Sequence, residues 1–138
     1  REVLHSGRAY EKFKEMIANQ GGDISYIEDP ELFEKSTYVM PVLSTESGIV
    51  ESIDSDIIGS VATYLGAGRM KDTGKINRTA GITMNKKIGD TVTVGETLAY
   101  LHTEDNTKIN GPTQILREAF KLTNKKLNTK SRVLEIIK

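Results

Sequence analysis

The chain has 138 residues, with 19 lysines plus arginines balanced by 19 aspartates plus glutamates, 37% hydrophobic residues, no cysteine and two histidines. That length buries roughly two thirds of the unfolded surface around one core, and zero net charge leaves no overall field to gather nucleic acid or an anionic membrane. The composition excludes a disulfide framework, a thiol nucleophile and a His/Cys metal cluster, and its apolar runs fall far short of the roughly 20 residues that cross a bilayer.

No signal-like pattern opens the chain, so a cytoplasmic location is expected, and Asn77-Arg78-Thr79 reads as an idle glycosylation sequon. The first residue is Arg1, and Arg1-Glu2-Val3-Leu4-His5-Ser6 has the character of a helix tail. The expectation is one domain over 1–138, a C-terminal fragment of a longer protein, with 1–22 a helical lead-in and 23–138 an α+β domain.

From Arg8 to Gln20, residues Ala9, Tyr10, Phe13, Met16 and Ile17 fall at helical spacing, and Gly21-Gly22 supplies the stop. The spacing predicts an amphipathic helix whose stripe faces a core. Asp29-Pro30 then marks the start of a short helical turn. Residues 37 to 53 give two β-rich runs separated by Thr45-Glu46-Ser47-Gly48, a pattern that predicts a hairpin, and Pro41 marks the first run as an edge because it has no amide to donate. Asp54 to Leu65 places Ile57, Ile58, Val61, Ala62 and Leu65 on one helical face, with Ser55 or Asp56 as cap, and Gly66 ends the helix.

Gly66 to Lys75 is a basic, glycine-rich loop in which Gly66 and Gly68 permit positive φ. Gly81 to Lys86 and Thr91 to Val94 alternate at period two around Gly89-Asp90, and Thr97 to Thr103 is a further strand. Pro112 to Leu122 predicts a last helix, and Ser131 to Lys138 a closing strand. The sum is α+β: a small mixed or antiparallel, partly closed sheet with barrel-sandwich-like hairpins and two to three flanking helices.

Gly68 to Lys75 fails as a phosphate-binding P-loop. Five residues, Arg69 to Thr73, stand where the motif has four, Ile76 stands where Ser or Thr holds magnesium, and the loop follows a helix instead of feeding one. Any anion there would be held by Arg69, Lys71 or Lys75. His5 and His102 each lack a catalytic partner pattern and read as structural, and the Lys86-Lys87 and Lys125-Lys126 pairs read as solvated faces.

Ile88-Gly89-Asp90-x-Val92-x-x-Gly95-Glu96-x-Leu98-Ala99 resembles the signature of biotinyl and lipoyl carrier domains, and Glu104-Asp105-Asn106-Thr107-Lys108 resembles a lipoyl-lysine segment. The second half-motif that a carrier needs after that lysine is missing, so a carrier modified at Lys108 stands as an alternative, beside a stand-alone anion-binding module.

Phe13-Lys-Glu-Met-Ile-Ala-Asn-Gln-Gly-Gly-Asp23, Gly48-Ile-Val, Leu65-Gly-Ala-Gly-Arg69 and Lys87-Ile-Gly-Asp through His102 together resemble the C-terminal part of pyrimidine-nucleoside and thymidine phosphorylases. The resemblance implies a dimeric enzyme in which phosphate attacks the anomeric carbon of a pyrimidine nucleoside, releasing free base and pentose 1-phosphate. It implies an N-terminal helical domain, a central α/β domain that holds phosphate, and a cleft between them that closes. Partners are then the remaining N-terminal domains, phosphate and nucleoside. No base- or phosphate-binding motif of the family is matched, so no catalytic residue, metal or cofactor is assigned and the fragment alone is expected to be inactive. One element carries over from the resemblance: Gly66, Ala67, Gly68 and Arg69 correspond to a glycine-rich loop that orders over the substrate cleft.

Overall fold

The structure is a computed structural model and describes residues 1–69, 74–127, 135 and 137. The strand expected over Ser131 to Lys138, apart from residues 135 and 137, and the loop residues 70–73, including Lys71, lie outside the described residues. The chain divides into two compact units, Arg1–Lys35 and Ser36–Lys138.

The first unit is helical: α1 (Glu2–His5), α2 (Arg8–Asn19), α3 (Ser25–Glu28) and a 3₁₀ turn at Pro30–Leu32. Asp29 caps that turn as expected, its carboxylate accepting from the Glu31 amide at 3.0 Å. Lys14 on α2 pairs with Glu11 at 3.1 Å and Glu28 at 3.3 Å, and the Tyr26 and Phe33 rings stand 5.0 Å apart. The α2 stripe is not core. Tyr10, Phe13 and Met16 remain 44%, 41% and 47% exposed, because the unit's other elements are single turns with too little apolar surface to cover three helical turns.

The second unit carries six strands: β1 (Tyr38–Leu43), β2 (Gly48–Ile53), β3 (Gly81–Met84), β4 (Thr91–Val92), β5 (Thr97–Thr103) and β6 (Phe120–Thr123). Two further helices are α4 (Ser55–Ala62) and α5 (Asn110–Glu118). The strands form two three-stranded antiparallel sheets, ordered β1-β5-β3 and β4-β2-β6. Odd strands make one sheet and even strands the other. The α+β class holds, and among the described residues no sheet closes into a barrel.

This alternation overturns the expected hairpins. β1 and β2 do not pair across Thr45–Gly48, nor β3 and β4 across Gly89-Asp90; every intervening turn carries the chain from one sheet to the other. Ser44 shows how. Its amide donates to the Glu96 carbonyl at 2.9 Å and its carbonyl accepts from Gly95 at 2.8 Å, so the turn is fixed to another turn and not to its own flanking strands. The ladder register slips between Val42 and Leu43 and between Val50 and Ser52, bends of the kind that let strands leave one sheet for another. Pro41 does lie on an edge strand, as expected.

Both sheets and both helices of this unit seal one core. Val42, Leu98, Ala99 and Leu101 come from the first sheet, Val50, Val92 and Phe120 from the second, Val61 from α4 and Leu116 from α5. The last helix is shorter than expected. Phe120 and Leu122 belong to β6, paired with Ile53 and Val50, because Ala119 ends α5 and its carbonyl accepts from the Asp54 amide at 2.9 Å.

Leu101, fully buried at the middle of the central strand, sets the first prediction: Leu101→Ala lowers unfolding free energy by about 2–5 kcal/mol in urea titration. The acid limb of stability is a second. A bond from Lys86 holds the Glu96 carboxyl below the ordinary glutamate range, and the Thr93 amide adds to it at 2.9 Å. The folded chain therefore binds fewer protons than the unfolded one, and this contribution is complete above the ordinary glutamate value and fades as pH falls through the lowered one. The urea midpoint falls across that window, and Glu96→Gln makes the fall shallower.

Candidate functional site

The glycine-rich loop begins where α4 ends. Asp54, the residue before the helix, caps it by accepting from the Asp56 and Ile57 amides at 3.0 and 3.2 Å, so neither expected cap, Ser55 nor Asp56, takes that role. The C-terminal end widens into a π-type turn over Thr63–Ala67. Gly66 sits within it at φ +122°, a conformation that side-chain-bearing residues rarely adopt, and a Cβ there would stand 3.2 Å from Asn77 Cβ. Gly66 thus ends the helix as expected.

Gly68 is glycine for a different reason than expected. Its backbone is extended, at φ −130° and ψ 171°, and what excludes a side chain is space, since a Cβ would lie 2.6 Å from Thr63 Oγ1 and 3.1 Å from Thr63 Cβ. Thr63 is held in turn, its hydroxyl donating to the Gly59 carbonyl at 2.9 Å.

The last carbonyls of a helix need partners beyond the helix itself. The buried Thr103 hydroxyl, at the end of β5, donates to the Leu65 carbonyl at 3.2 Å and accepts from the Asp105 amide at 3.2 Å. The Asn77 amide donates to the Gly66 carbonyl at 2.8 Å. The loop's outgoing and returning limbs are therefore joined at a neck. Arg69 leaves that neck exposed, at the rim of an open groove of about 780 Å³ lined also by Ser55, Asp56, Gly59, Ser60 and Thr63. Hydroxyls, one carboxylate and one guanidinium supply its polar groups, beside an equal share of apolar surface.

The returning limb contains residues that sequence reasoning missed. Asn77 Oδ1 accepts from the Thr79 amide at 3.0 Å and lies 2.9 Å from its hydroxyl, so the spacing that reads as an idle sequon builds an Asx turn. The Thr79 hydroxyl also reaches Glu104 Oε1 at 2.7 Å. Glu104 accepts from the Thr37 amide at 3.1 Å and from the Thr37 hydroxyl; bonds from the Thr37 and Thr79 hydroxyls hold its carboxyl below the ordinary range. The Asn-x-Thr spacing was the available signal for the turn; Glu104 was marked only within the lipoyl-like segment, and nothing in the sequence pointed to Thr37 and Thr79 as its partners.

The other sequence candidates separate from this region or from catalysis. His102 lies between two hydroxyls, Nδ1 at 3.1 Å from Ser36 Oγ and Nε2 at 2.9 Å from Thr83 Oγ1, the setting of a structural histidine. Lys108 stands in a 3₁₀ turn, Asn106–Lys108, ahead of α5, with Nζ 5.8 Å from the Tyr64 ring centre, and not at the tip of a hairpin as a carrier lysine would. The Gly-Asp-x-Val-x-x-Gly-Glu signature is turn-building: Asp90 Oδ2 accepts from the Lys87 amide at 2.7 Å, and Val92 and Leu98 enter the core.

The second unit is thus an α+β domain of two interleaved three-stranded sheets with a necked, glycine-rich loop at the end of α4. Residues 49–123, more than half of the chain and inclusive of the Gly66–Arg69 loop, match the family described as Pyrimidine nucleoside phosphorylase C-terminal domain, and the chain belongs to that family. Over 101 residues it is 41% identical to the pyrimidine-nucleoside phosphorylase of Staphylococcus haemolyticus (strain JCSC1435), and 43% identical to those of Bacillus subtilis (strain 168) and Staphylococcus aureus (strain USA300). Each alignment covers 73% of this chain and 23% of the relative, so the chain spans about a quarter of the length of the curated relatives it matches.

The two glycines generate paired expectations. Gly66→Ala destabilises the chain by about 1–3 kcal/mol through its positive φ. Gly68→Ala destabilises through its clash with Thr63, and Thr63→Ala introduced alongside restores most of that loss while doing nothing for Gly66→Ala, as read from urea midpoints of the five chains.

Proposed function

We propose that this chain is the C-terminal portion of a cytoplasmic, homodimeric pyrimidine-nucleoside phosphorylase and that its Gly66–Arg69 loop closes over the substrate cleft formed by the rest of that enzyme. In this reading residues 1–22 lead in from the larger protein and 23–138 form the α+β domain that it carries. The reaction is phosphorolysis: a phosphate oxygen bonds to the anomeric carbon as the glycosidic C–N bond breaks, the pyrimidine leaves as free base with a proton, and pentose 1-phosphate remains. The observation that carries the reading is the unbroken family match over 49–123, in a chain that spans 23% of its relatives' length.

The loop's build supports the closing role. Its ends are fixed by the Asn77–Gly66 bond, while Arg69 is exposed at the rim of the groove that Ser55, Asp56, Ser60 and Thr63 also line. A guanidinium there serves as an always-charged donor to an anionic substrate once closure excludes water. The chain alone is inactive in this reading, because the groups that bind base and phosphate belong to the remainder of the enzyme.

Two assays with uridine or thymidine plus phosphate test this. The isolated chain releases no base above background; robust phosphorolysis by it overturns the supporting role. In the enzyme carrying this chain, Arg69→Ala lowers kcat/KM about tenfold or more, the scale of losing one charge-assisted hydrogen bond at the transition state. An unchanged kcat/KM removes Arg69 from the mechanism.

A further inference from the structure

We propose that Glu104 is a positioning residue: through Thr79 and the Asn77 turn it fixes the returning limb, and so the neck, of the Gly66–Arg69 loop. The role in turnover rests on the cleft-closing reading above; the anchoring itself does not.

The returning limb needs such an anchor. Residues 74–80 belong to no strand or helix, and among the described residues their hydrogen bonds to other parts of the chain are Asn77 N–H to the Gly66 carbonyl and Thr79 Oγ1 to Glu104. The first joins limb to limb. Of these two hydrogen bonds only the second reaches the sheet frame, which the limb otherwise joins where Ala80 packs against the core and the chain enters β3 at Gly81.

That frame is rigid where Glu104 leaves it. Glu104 follows directly on β5, whose last residue Thr103 is buried and pairs with Tyr38 of β1, and Thr37, just before β1, gives Glu104 both its amide and its hydroxyl. The carboxylate is thus held by backbone and side chain of one paired strand end and presents Oε1 to the limb.

The acceptor count specifies the side chain. Oε1 receives two donors, the Thr37 amide and the Thr79 hydroxyl, so it must be an oxygen. Oε2 receives only the Thr37 hydroxyl, which reverses to accept if an NH₂ stands there. Glutamine therefore satisfies the geometry and alanine does not, whereas a role resting on charge would be lost equally in both.

Amide hydrogen exchange of the 138-residue chain is the direct test. In Glu104→Ala the Asn77 amide exchanges about tenfold faster or more, while the Val50 amide in the other sheet is unchanged; Glu104→Gln stays near the parent. Thr79→Val, which leaves the Thr37–Glu104 bonds in place, reproduces the faster Asn77 exchange while the Thr37 amide, which Glu104→Ala also releases, exchanges as in the parent, and covers the case in which Glu104→Ala fails to fold. Unchanged Asn77 exchange in Thr79→Val overturns the anchor. In the enzyme carrying this chain, Glu104→Ala lowers kcat/KM about tenfold or more, and in an Arg69→Ala background by less than about twofold, since both act through one loop. Additive losses overturn the positioning role. If Arg69→Ala alone is silent, the cleft-closing reading falls, and the exchange data still decide the anchor.

Discussion

The second unit depends on β5. It is hydrogen-bonded on both edges, to β1 through Tyr38–Thr103 to Leu43–Thr97 and to β3 through Gly81–His102 to Met84–Ala99. Its Leu98, Ala99 and Leu101 lie at the centre of the core that the second sheet, α4 and α5 share. The β1 and β3 strands are separated by β2 and α4 in the chain and meet no partner but β5 among the described pairings. A defect in β5 therefore loosens the whole first sheet, and with it the ends from which Thr103 and Glu104 reach the loop.

Around that strand the structure repeatedly uses acidic or amide side chains as local acceptors at turns. Asp54, Asp90, Asp105 and Glu96 each receive a backbone amide within three residues. At Asp90 and Glu96 such bonds stand where hairpin hydrogen bonds would between strands of different sheets, whereas Asp54 and Asp105 cap helical turns. This accounts physically for the Gly-Asp-x-Val-x-x-Gly-Glu pattern and for its likeness to carrier domains: it is a way to turn the chain between sheets, with Val92 and Leu98 as inward anchors, and it implies no modified lysine.

What was legible in the sequence follows from what is local. The helix over Arg8–Asn19, the strand over Thr97–Thr103, the edge character of Pro41 and the termination at Gly66 each rest on periodicity or on one residue's backbone constraint, and each holds. Pairing was not legible. Alternation at period two specifies a face and not a partner, so β1–β2 read as a hairpin although each strand seeks a different sheet. Phe120 and Leu122 fit a helical face as well as a strand, and only the β2 ladder decides between them. Of the candidate site, the Gly66–Arg69 end was visible, because glycines mark it. The anchoring side was not, because Glu104 and Thr79 are 25 positions apart and ordinary in type.

The two limbs of the loop obey different physics. The outgoing limb is fixed by backbone constraints, positive φ at Gly66 and the Gly68 backbone against Thr63, together with the Thr103 hydroxyl bond to the Leu65 carbonyl. The returning limb is fixed by polar side chains, Asn77, Thr79 and Glu104, each replaceable by a rival donor or acceptor. The neck bond between Gly66 and Asn77 is backbone to backbone. The outgoing limb therefore rests partly on sterics and the returning limb on hydrogen bonds. The hydrogen-bonded side ends on Glu104, which places the control of loop geometry in the sheet and not in the loop.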